Sequence, residues 1–66
     1  MSDALLKDFM NKVLQHMNRG CRHGQAYMNA LSQTDKEVYD AVVGTDADCY
    51  YNDSKIKNFL NFIWNY

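Results

Sequence analysis

Leu6, Met10, Val13 and Met17 recur at spacings of four and three residues along "SDALLKDFMNKVLQHMN". A strand would alternate every second residue, whereas this spacing lines one side of an α-helix. Leu5, Phe9 and Leu14 widen the apolar stripe. Proline is absent from the whole chain, so nothing breaks a helix from within. Ser2 is placed to cap this helix, and Asp3 lies in its first turn, where the helix dipole favours a negative charge. Gly20 is placed to end it. Two methionines on one face fill irregular gaps in a core well. A long one-faced helix needs partners, and the rest of the chain must supply them.

Three shorter helical segments follow. "RGCRHG", bracketed by Gly20 and Gly24, reads as a turn. "QAYMNALSQ" places Tyr27, Ala30 and Leu31 on one helical face, and Ala26 and Ala30 allow close approach of a neighbouring helix. "TDKE", residues 34–37, has the form of a capping box in which Thr34 and Glu37 bond reciprocally. It opens a third helix bearing Val38, Tyr39, Val42 and Val43, which Gly44 is placed to stop. Asp53 or Ser54 is placed to cap a fourth helix with Ile56, Phe59, Leu60 and Ile63 along its stripe, and Phe62 and Trp64 beside it. The expectation is an all-α fold: one helical domain over residues 1–66, a compact bundle of about four short helices. The first helix is the longest, and the aromatic last helix packs on it.

Size sharpens that expectation. A domain of 66 residues buries only about 60% of its unfolded surface, so its stability is marginal. The 14% aromatic content offsets this, because each large ring contributes much buried area. Two cysteines, Cys21 and Cys49, are too few for a disulfide framework. "MSDALLKDF" has no basic segment leading into an apolar run, so it does not read as a signal peptide, and no apolar run reaches the length of a membrane span. A cytoplasmic protein with free thiols and no membrane partner is expected.

Chemistry concentrates in "GTDADCYYND", residues 44–53. As a calcium loop it fails. Asp46 and Asp48 begin the pattern, but Tyr51 stands where glycine is needed and Lys57 where the bidentate glutamate should be. Cys21, His23, Cys49 and His16 are four potential zinc ligands, yet Cys-x-His is tighter than the usual spacing. No metal or other cofactor is expected. Asp46, Asp48 and Asp53 with a histidine base could form an acid–base set, but no spacing matches a known catalytic motif, and so small a chain has little room to enclose a pocket. No enzymatic activity is expected.

Two binding readings remain. Lys12, Arg19, Arg22 and His23 could form a basic patch around the first turn and touch nucleic acid. Residues 1–34 carry +2 and residues 35–66 carry −3, so the total is −1, which argues against a phosphate binder. The second helix also lacks lysine and arginine. A protein partner suits the loop better. Tyrosine is a hot-spot residue and the acids would steer a basic surface, so Asp46, Asp48, Tyr50, Tyr51 and Asp53 are the candidate contacts. Adjacent Tyr50 and Tyr51 cannot easily face one way, so one anchors the loop and the other is presented. A structural role competes with this, with Asp46 and Thr45 capping the third helix and Asp53 the fourth. Self-association is the third class: Leu5, Phe9 and Leu14 give the first helix spare apolar width for a homodimer.

"GQAYMNAL", residues 24–31, and "GTDADCYYNDSKI", residues 44–56, together resemble a type of very small protein encoded by tailed bacteriophages. In that type a Gly-Gln helix start is followed by a Gly-Thr-Asp loop, an aromatic-Asn/Asp-Asp element and a final aromatic helix. The resemblance spans about residues 22–64. Cys49 stands where that pattern has proline, which loosens the loop. The resemblance implies a phage accessory protein in the cytoplasm of an infected bacterium. It brings no functional residues with it. The expected function is binding and modulation, as an inhibitor, of a host or phage macromolecule.

Overall fold

A computed structural model of the chain describes residues 1–66. Four helices follow one another: α1 over Asp3–Asn18, α2 over His23–Thr34, α3 over Lys36–Val42 and α4 over Ile56–Asn65. There are no strands. α1 is the longest, at 16 residues. Ser2 caps it by accepting from the Leu5 amide at 3.3 Å. Gly20 at φ +96° turns the chain out of it, a left-handed conformation that glycine adopts without a side-chain clash.

α1 is rotated from the expected stripe. Phe9 and Val13 are its buried centre, Leu6 and Met17 are half-buried, and Met10 and Leu14 are exposed. The aromatic core sets the rotation. The Phe9 ring lies 6.1 Å from that of Phe59 and 5.9 Å from that of Tyr27, while Tyr27 and Phe59 are 5.6 Å apart. These three rings join α1, α2 and α4. α4 therefore meets α1, as expected, through large side chains. α1 and α2 form the most extensive helix pair, and Ala26 and Ala30 are fully buried in it. Burial of Phe9 takes its ring out of the expected dimer surface and leaves Leu5 and Leu14 exposed. Leu5 and Leu14 flank the buried Phe9–Val13 line on opposite sides at about 100° per residue.

The caps differ from the sequence expectation at three joints. α2 begins at His23, two residues before the expected Gln25, and Gly24 lies inside it. The supposed capping box is displaced. The Thr34 hydroxyl donates back to the Ala30 carbonyl at 2.8 Å, while Asp35 accepts from the Val38 amide at 3.2 Å. Asp35 both ends α2 and caps α3, so one residue suffices as the joint. α4 is entered through a 3₁₀ turn over Asp53–Lys55. Its cap is Asn52, whose side-chain oxygen accepts from the Ser54 amide at 3.0 Å and hydroxyl at 2.6 Å. Neither Asp53 nor Ser54 caps α4. At the end of α3 the expectation holds: Gly44 turns at φ +79° directly after the cap residue Val43.

No helix is long and apolar enough to cross a membrane. The core is one cluster of twelve buried hydrophobic residues, and no polar residue is buried within it.

Candidate functional site

The segment between α3 and α4 is fastened at both ends by its own carboxylates. Asp48 accepts from the Gly44 amide at 2.9 Å with one oxygen and from the Tyr50 amide at 3.1 Å with the other. Thr45 closes the α3 terminus, donating to the Val42 carbonyl at 2.6 Å and accepting from the Ala47 amide at 3.2 Å. This is the self-bonding expected of Asp and Thr in turns.

Asp53 reaches across the molecule. Its Oδ1 accepts from the Gly24 amide at 3.0 Å and lies 3.5 Å from Arg22 Nη1. A carboxylate at the amino end of α2 fills an orphan donor and meets the positive end of the helix dipole. The Arg22 Nη2 donates to the Tyr50 carbonyl at 2.9 Å, and the Gln25 amide donates to the Tyr50 hydroxyl at 3.0 Å. The Cys49 thiol donates to the Gly24 carbonyl at 3.6 Å. Cys49 is fully buried, so it seals the loop to α2, where a cysteine in place of the pattern's proline was expected to loosen it. Burial pushes its thiol up to about 11, and the nearby Asp48 and Asp53 charges add to this. At neutral pH it is protonated and inert.

The loop is thus a rigid platform on the α2 entrance. Tyr50 is half-buried and held at three of its groups. Tyr51 is 86% exposed, its ring edge-on to Tyr50 with centroids 4.8 Å apart. The pair therefore divides as the sequence implied, one anchor and one presented ring. A groove of about 340 Å³ runs beside them, bounded by Tyr39 and Val43 from the α3 end and Met28 and Asn29 from α2.

The five candidate contacts do not form one surface. Asp48, Tyr50 and Tyr51 border this groove. Asp46 borders a different one of about 660 Å³, along the Asn58, Phe62 and Asn65 side of α4. Asp53 is engaged with α2. Tyr39, Val43 and Met28 complete the Tyr51 groove; Tyr39 and Val43 had read only as helix stripe and Met28 was not singled out, and no local signal marks them, because their role depends on where the loop docks.

The basic patch is partly neutralised. Lys12 pairs with Asp8 at 2.7 Å, one helical turn away, and Arg22 is engaged by the loop. Arg19 and His23 are exposed. The four suggested metal ligands are dispersed: His16 Nε2 lies 2.9 Å from the Gln33 side-chain oxygen, Cys49 is in the core, and no group of three His, Cys, Asp or Glu is placed to share an ion.

Comparison of the chain with protein-family models, with curated proteins and with solved structures finds no match.

Proposed function

We propose that this chain is a non-enzymatic protein-binding module. Its presented feature is the Tyr51 ring over the groove bounded by Tyr39, Val43 and Asp48. In this reading it is a small bacteriophage accessory protein that occupies a site on a host or phage protein and inhibits it sterically, in the cytoplasm of the infected cell. The observation that carries the reading is the pairing of an 86% exposed tyrosine with a fully fastened neighbour. A large ring held out on a rigid support costs little ordering entropy on binding, which is the condition for a hot spot. Asp48 at the rim favours a basic or hydrogen-bond-donating partner surface. Of the loop's other two carboxylates, Asp53 is engaged with backbone and Arg22, which suits a structural role better than acid–base work. The phage setting rests on the "GQAYMNAL" and "GTDADCYYND" resemblance.

The test is affinity capture from bacterial lysate with wild-type and Tyr51→Ala protein, with and without nuclease, read by mass spectrometry. A host protein retained by wild type through nuclease and lost by Tyr51→Ala supports the reading. Capture that disappears with nuclease transfers the function to nucleic acid and the Arg19–His23 turn.

A further inference from the structure

A second surface shares no residue with the Tyr51 groove. α1 and α4 leave an apolar cleft of about 390 Å³ between them, floored by Phe9 and Ile63. Leu6 and Met10 form its α1 wall, and Leu60 and Trp64 its α4 wall. Trp64 is 75% exposed, Leu14 55% and Met10 42%. The chain's one tryptophan is thus spent on the outside of a core that is already closed. The cleft's single polar lining residue is Asn61, and none is charged. The nearest charges stand at its rim, with Lys7 on the outer side of the Leu6 and Met10 wall. Asp3 lies beside Trp64 at one end, and Lys57 lies one helical turn before Leu60 at the other.

We propose that this face is a self-association surface, on which a second copy of the chain packs antiparallel about a two-fold axis. The charges select that occupant. A two-fold perpendicular to the cleft reverses its ends, so Asp3 of each copy meets Lys57 of the other, twice over. An uncharged lining with oppositely charged ends is complementary to itself when reversed. Area agrees. The exposed parts of Leu6, Met10, Leu14, Leu60 and Trp64 give on the order of 500 Å² of apolar surface, at the upper end for a monomer. With the flanking polar residues this approaches the roughly 800 Å² per partner of a stable interface. Trp64 of each copy is then covered by its partner's Met10 and Leu60. The surface is independent of the Tyr51 reading, and a dimer would present two such rings.

Sedimentation equilibrium over micromolar to millimolar concentration is the test, with Trp64 emission followed in parallel. The expected result is a monomer–dimer equilibrium in which emission shifts to the blue as dimer forms. Trp64→Ala should weaken association at least tenfold while keeping wild-type far-UV circular dichroism, since its side chain is outside the core. Lys57→Asp should weaken it several-fold, and adding Asp3→Lys to that variant should restore it. A chain that stays monomeric throughout overturns the proposal and leaves the cleft to another partner. A dimer unaffected by Trp64→Ala overturns it also, and failure of the charge exchange to restore association overturns the antiparallel arrangement.

Discussion

Gly24→Ala tests the docking of the loop on α2, because two principles give opposite signs. On helix propensity alone, alanine in α2 should stabilise by up to about 1 kcal/mol. The surroundings say otherwise. A Cβ on Gly24 would penetrate the Cys49 carbonyl oxygen, and would lie 3.0 Å from its carbon and 2.8 Å from Asp53 Oδ1. The obstacle is backbone of a sealed segment, so it cannot rotate away. Forcing extra volume into such a contact costs about 1–3 kcal/mol. The Asp53 cap on the Gly24 amide would be lost with it, for about 1 kcal/mol more. The net expectation is a loss of about 2–3 kcal/mol. That is a large share of the roughly 3–10 kcal/mol available to a domain of this size. In urea, with a slope of about 1 kcal/mol/M, the midpoint should fall by about 2–3 M. Denaturation followed by far-UV circular dichroism measures this. A midpoint at or above wild type would refute the close approach, and with it the platform on which Tyr51 stands.

Other variants divide the account further. Tyr51→Ala should change stability by less than about 0.5 kcal/mol in the same titration, because the ring is outside the core. Asp35→Ala should cost about 1 kcal/mol as the true α3 cap, whereas Thr34→Ala should be nearly neutral; the reverse ranking would restore the capping box. Cys49 gives a pH signature. Its thiol titrates at about 11 in the fold against 9.0 ordinarily, so the unfolded chain loses this proton first and binds fewer protons between those values. Stability from this group is complete below 9.0 and falls as pH rises toward 11, by up to about 2 kcal/mol. Urea titrations from neutral to alkaline pH should therefore show the wild type converging on Cys49→Ala, and parallel profiles would contradict burial of the thiol.

What the sequence showed and what it hid divide along a physical line. Local rules located the helices: the apolar period of α1, glycine at residues 20 and 44 with φ of +96° and +79°, and Ser2 as a cap. These depend on neighbours within one or two turns. Two errors were local, since Asp35 rather than Thr34 caps α3 and Asn52 caps the turn into α4; the others involve groups that act over long separations. Asp53 was assigned to the helix next to it in sequence, yet it caps one that begins thirty residues earlier. Gly24 read as turn punctuation because nothing nearby reveals that Cys49 backbone lies against it. The rotation of α1 was missed because periodicity gives a stripe but not which member meets a ring cluster on α2 and α4. In the loop, composition identified an anchor and a presented tyrosine. It could not show that Asp46 faces a different groove, or that Asp48 is occupied with the Gly44 and Tyr50 amides.

The central claim is that a fastened loop presents Tyr51 to a protein. The most direct measurement is nuclease-treated capture from bacterial lysate, comparing wild type with Tyr51→Ala at matched concentration and confirmed fold. The account predicts a specific protein whose recovery falls at least tenfold with the single side chain removed. Equal recovery by both would contradict it.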